Sequence, residues 1–213
     1  MKIPYLLPMR CLLLAISVFF ASKWWTSVAI VCNLVTIAVL FFYSRKDYKS
    51  LLNYQKGKTN APKAIITVII TLAVGMGGLY LAGLICYGEF PYLDETLVEP
   101  IPLWLAIIVL LFLPATTTLA EDGLYLGYGI NAAESDNIVY AFAAAFFYAL
   151  QHSFIPFLPD GIFMLYRFLS FLPLTTLICL LYRKSKNPLP FMISHFILNV
   201  ATAVQILIMT VLF

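Results

Sequence analysis

Two carboxylates, two imidazoles and an amide stand out in an otherwise greasy chain. Glu121 and Asp122 are adjacent, His152 is isolated, and His195 is followed four residues later by Asn199. The two histidines are the only ones in the protein. Each cluster lies in a segment apolar enough to cross a bilayer. An ionisable side chain at that depth costs several kcal/mol by insertion scales, and such residues usually carry a function. Together these groups are the parts needed for acid–base or metal-assisted hydrolysis.

The spacing adds to this. Tyr148 and His152 are four apart and share one helix face, and His195 and Asn199 repeat that geometry. An amide one turn from an imidazole can orient the ring or bind the same oxygen. After Glu121-Asp122 the sequence continues Gly-Leu-Tyr-Leu-Gly-Tyr-Gly-Ile, still apolar. This predicts that Glu121 lies inside the membrane or lines a wet cavity; the competing reading is a helix end where the carboxylates meet solvent. A single intramembrane histidine is as often a packing residue as a functional one. Two of them, each with a polar neighbour one turn away, favour function.

Positioning these groups falls to membrane helices. Of 213 residues, 62% are hydrophobic and 11% charged, against roughly a quarter charged in a soluble domain. The fold class predicted is all-α, a polytopic membrane bundle of about seven transmembrane helices. It forms one integral membrane domain, with N-terminal helices in 1–100 and the candidate core in 101–213. A helix needs about 20 apolar residues to span the hydrocarbon. That ruler gives spans near 4–22, 24–43, 63–87, 102–127, 137–157, 161–182 and 189–212. The run after Lys2 and Arg10 is read as a retained first helix rather than a signal peptide. Arg10 interrupts that span, which makes a partly interfacial helix the alternative.

The loops set orientation. Residues 44–63 carry Arg45, Lys46, Lys49, Lys56, Lys58 and Lys63, and residues 183–188 carry Arg183, Lys184 and Lys186. Both are expected in the cytoplasm, with the acidic 88–100 loop outside. Seven spans then place the N-terminus inside and the C-terminus outside a cell membrane. The net charge of +3 is too small to suggest nucleic acid; the expected partners are the lipid bilayer and a peptide or membrane-protein substrate. Cys11, Cys32, Cys86 and Cys179 have neither zinc-finger nor redox spacing and read as buried apolar residues. Pro114, Pro156 and Pro173 are expected to kink or end their helices. Gly75, Gly77, Gly78 and Gly83 give the third span a small-residue packing face. One conflict remains in this scheme: straight helices put His195 near the inner end of its span and His152 near the outer end of its own. Either Pro156 ends the fifth helix early, or the turn Asn187-Pro188-Leu189-Pro190 enters the bilayer.

The chain resembles the CAAX-protease and bacteriocin-processing family of intramembrane peptidases, also called Abi proteins. Their motifs are E-E-x-x-x-R, F-x-x-x-H and H-x-x-x-N or H-x-x-x-D. Here they correspond to Glu121 to Leu126, Tyr148 to His152, and His195 to Asn199, over roughly residues 100–205. The resemblance implies an intramembrane endopeptidase. In it Glu121 acts as general base on water, and His152 positions that water or binds a metal. His195 and Asn199 stabilise the oxyanion, and Asp122 supports the site. It also admits a divalent metal such as zinc, with Glu121, His152 and His195 as the candidate ligands, although the helical H-E-x-x-H arrangement is absent. Asp122 stands where the family has a second Glu, Tyr148 where it has Phe, and Leu126 where it has Arg. A guanidinium at that last position would pair with a carboxylate; Arg167 in the sixth span is the candidate substitute, against a snorkelling surface arginine. Two rival functions stay open: a non-catalytic member acting in bacteriocin immunity or regulation, which Leu126 favours, and a small proton-relaying transporter.

Overall fold

The computed structural model describes residues 4–19, 24–46, 60–90, 97, 99–131 and 137–213, and its regular structure is helical. Among the described residues seven helices follow in chain order. They are α1 (Leu6–Phe19), α2 (Trp25–Tyr43), α3 (Ala61–Tyr87), α4 (Leu103–Asp122), α5 (Ile138–His152), α6 (Gly161–Ser185) and α7 (Leu189–Leu212). Five are long and apolar enough to cross a membrane: α2, α3, α4 with its continuation to Asn131, α6 and α7. The chain is a multi-pass helical membrane protein. The basic stretch 47–59 and most of the acidic 88–100 loop lie outside the described residues.

The elements start and stop where local chemistry dictates. Asn60, Asn137 and Asp160 each cap a helix by accepting a backbone N–H of its first turn, which satisfies donors that have no intrahelical partner. Gly88 ends α3 in the left-handed region, at φ 71°, where a residue without a Cβ carries no steric cost. The outer surface is apolar: Leu111, Phe112, Ile65 and Ile69 are all more than half exposed, as expected of helices solvated by lipid tails.

The arrangement is set by close packing. α5 lies on α6, α6 on α3, α4 between α2 and α7, and α1 on α5. At Gly78 of α3 an added Cβ would come within 2.6 Å of the Ser170 carbonyl oxygen of α6. The small-residue face therefore brings two backbones together there, the usual device for helix association in lipid.

Two departures from regular helix matter for the site. Immediately after Asp122, α4 passes into a π-helical turn, Gly123–Tyr128, and then a last helical turn, Gly129–Asn131. Such turns are rare and frequent at functional sites. Second, α5 stops at His152 after 15 residues, about 22 Å at 1.5 Å per residue. It is too short to cross on its own. The irregular stretch after it is buried against α6: Ser153 Oγ donates to the Met164 carbonyl at 2.9 Å, and Arg167 Nη2 donates to the Ile155 carbonyl at 2.9 Å. Non-helical backbone at membrane depth is tolerated where protein satisfies it. The early end of α5 removes the conflict over depth, because His152 sits at the end of a short helix inside the bundle.

Candidate active site

Four helices bring the charged, imidazole and phenol groups of the polar cluster, and α2 adds Asn33 and Thr36 around them. α4 brings Glu121 and Asp122, 1% and 0% exposed, to the centre of the bundle. The helix-end reading, with solvated carboxylates, does not hold. α5 brings Tyr148, Gln151 and His152, α7 brings His195, and α1 brings Arg10.

Glu121 uses its two oxygens differently. Oε1 accepts from Arg10 Nη2 at 3.3 Å. Oε2 faces His195 Nε2 at 3.5 Å and His152 Nε2 at 3.8 Å. Both Glu121 Oε2 and His152 Nε2 are buried without a hydrogen-bond partner among the described residues. Unpartnered buried polar atoms are costly and call for an explanation. A separation of 3.8 Å is too long for a hydrogen bond, but one water about 2.8 Å from each atom would bridge it.

Asp122 works behind the histidine. Tyr148 donates to Asp122 Oδ1 at 3.0 Å, and the same hydroxyl lies 3.0 Å from His195 Nδ1. With its proton committed to Asp122, Tyr148 can only accept from the ring. Nδ1 therefore carries a hydrogen, and Nε2 is the nitrogen turned toward Glu121. Phe171 fixes the other imidazole by stacking on His152 with centroids 3.5 Å apart and planes within 7°.

Asn199 makes its hydrogen bond along its own helix. Its amide donates to the His195 backbone carbonyl at 3.0 Å, the back-bond that an i+4 side chain makes on its own helix. The ring is oriented from α4 and α5 instead. Arg167 is also not the substitute guanidinium. It is 7% exposed, so it is no snorkelling surface residue either; it holds the Ile155 carbonyl and lies 5.1 Å from the Phe171 ring centroid.

The guanidinium at the site is Arg10. The residue that interrupts the first span is 4% exposed and points inward. Nε donates to Gln151 Oε1 at 2.7 Å, Nη1 to Thr36 at 2.6 Å and Nη2 to Asn33 Oδ1 at 2.7 Å. Asn33 in turn donates to Thr117 of α4, and Tyr125 of the π turn donates to Gln151. Sequence reasoning passed over Gln151, Asn33, Thr36 and Tyr125. The only signal was polarity at membrane depth, which Asn33 and Gln151 share with the histidines.

Two histidine nitrogens and a carboxylate oxygen are donor types that bind zinc. Their separations of 3.5 and 3.8 Å exceed the roughly 3.3 Å between two ligands held about 2.0 Å from a tetrahedral ion. Among the described residues no three His, Cys, Asp or Glu side chains are arranged to hold an ion. As they stand, these donors do not fit a metal. On the outer face of the same helices α4 and α7 lies an open apolar groove of about 320 Å³, lined by Ala115, Thr118, Leu119, Met192, Ile193, Phe196 and Ile197.

Residues 101–201 match the family described as type II CAAX prenyl endopeptidase, Rce1-like. The matched segment holds all three motifs, and the likeness is to the same family that those motifs suggest. No curated protein and no solved structure matches the chain.

Proposed function

We propose that this protein is an intramembrane endopeptidase that hydrolyses a peptide near the membrane surface, with Glu121 as the base. The observation that carries the reading is the pair of unpartnered buried atoms, Glu121 Oε2 and His152 Nε2, facing each other with His195 Nε2 beside them. A water held there has a carboxylate on one side and imidazoles on the others. Glu121 takes one proton from that water as its oxygen bonds to the scissile carbonyl carbon. The carbonyl oxygen becomes an oxyanion beside His195. That ring has a carboxylate near each nitrogen, so it can hold both protons and offer an N–H at Nε2. As the C–N bond breaks, Glu121 returns its proton to the leaving nitrogen, and one water is consumed overall. His152 holds the water, Tyr148 and Asp122 hold His195, and Asn199 braces the turn that carries His195. The basic loops would face the cytoplasm, with the N-terminus inside and the C-terminus outside.

The test is cleavage by the purified protein in liposomes. The substrates are a prenylated peptide ending in a CAAX sequence, its unprenylated form, and apolar membrane peptides. Products are read by mass spectrometry in ¹⁸O-labelled water. The expected result is a new carboxylate carrying one ¹⁸O from solvent. No cleavage of any of these substrates by folded protein would favour the non-catalytic reading, a membrane protein of immunity or regulation.

A further inference from the structure

We propose that Arg10 is a positioning residue for Glu121, supplied by a helix outside the family-matching segment, and that it selects which carboxylate oxygen meets the histidines. The proposal rests on the reading of Glu121 as the base. Three neutral acceptors on α2 and α5, namely Thr36, Asn33 and Gln151, hold the guanidinium by bonds of 2.6–2.7 Å. Its place is therefore fixed independently of Glu121. The planar fork then presents Nη2 to Glu121 Oε1 at 3.3 Å, which leaves Oε2 turned to the histidines. Lysine, a single point donor, could not reach all these acceptors at once. A buried guanidinium without a counter-charge is strongly unfavourable, so the pair also keeps the carboxylate where the charge is. Leu126, at the motif's arginine position, is fully buried in the apolar core with Tyr125 and Tyr148. The guanidinium thus reaches the carboxylate from α1 and not from α4.

The experiment labels the purified protein in detergent with dicyclohexylcarbodiimide and maps the adducts by mass spectrometry. This reagent attacks a neutral carboxyl in apolar surroundings and spares a carboxylate held in an ion pair. In the wild type, Glu121 should label slowly. Arg10→Gln, which keeps polarity and loses charge, should label Glu121 at least about tenfold faster. Arg10→Lys should label as slowly as the wild type. Equal labelling of Glu121 in the wild type and a cooperatively melting Arg10→Gln would overturn the proposal. Should Arg10→Gln not fold, rapid labelling of Glu121 in the wild type would do the same. On a cleaved substrate, Arg10→Gln should lower kcat at least about tenfold with KM within about twofold, and Arg10→Lys should recover part of that loss. A fall in binding alone would contradict a positioning role. Labelling needs no turnover. If it changes as stated while no variant cleaves anything, the pairing stands and the peptidase reading fails.

Discussion

Glu121 turns one oxygen to Arg10 and the other to the histidines, and that division makes two predictions. Leu126→Arg should not raise activity, because the carboxylate already has its guanidinium. It would bury a second cation in an apolar core at a cost of several kcal/mol, read as a lower melting temperature in detergent with no gain in kcat. Chelation should also leave cleavage unchanged, since the donors stand too far apart for an ion. Loss of activity in phenanthroline, restored by zinc, would show that they close around one. The carboxylates and histidines were legible in the sequence because a titratable letter in an apolar run is conspicuous. Arg10 was equally conspicuous but read as an interruption. Its partner lies 111 residues away, and no periodicity links them. Asn199 shows what spacing leaves open: four residues from His195, its amide donates to the His195 backbone carbonyl, a bond the sequence alone does not distinguish from one to the ring.

At the scale of elements, a twenty-residue ruler placed each of the seven helices found among the described residues, five of them at spanning length, since a lipid solvent makes apolar length the dominant signal. The ends were less legible. The fifth span was expected to run to 157, but α5 stops at His152, where the Arg167 and Ser153 bonds to backbone stabilise an irregular stretch that hydropathy does not register. The fourth was expected to end near 127 and runs to Asn131 through a π turn. That turn has no compositional signature. It is readable only in the packing that results, where Tyr125 stacks on Tyr148 at 4.4 Å and bonds Gln151. Helix association gives a prediction of its own. Gly78→Val should overpack the contact with Ser170 and lose about 1–3 kcal/mol. Gly77→Ala, where an added Cβ meets nothing within 4 Å, should melt like the wild type. Equal thermal shifts for the two would contradict the α3–α6 contact.

At the scale of the whole molecule, the family segment holds the three motifs, and the N-terminal helices finish the site through Arg10, Asn33 and Thr36. The sequence reading set a candidate core in 101–213 apart from N-terminal helices in 1–100 because motifs are local; the contacts of Arg10 with Glu121 and Gln151 join distant residues and leave no such trace. The basic loops support the orientation proposed above. Lys184→Cys, in a chain whose four cysteines are replaced, should react with an impermeant maleimide only after the cells are opened. Labelling of intact cells would reverse the topology. The central claim is that Glu121 activates water, and the most direct measurement is the cleavage rate of purified Glu121→Gln beside the wild type, both with the same melting temperature. Glutamine keeps the size and accepts from Arg10 but cannot take a proton. The variant's kcat should fall about 10²–10⁴-fold. Cleavage by folded Glu121→Gln at the wild-type rate would contradict the claim.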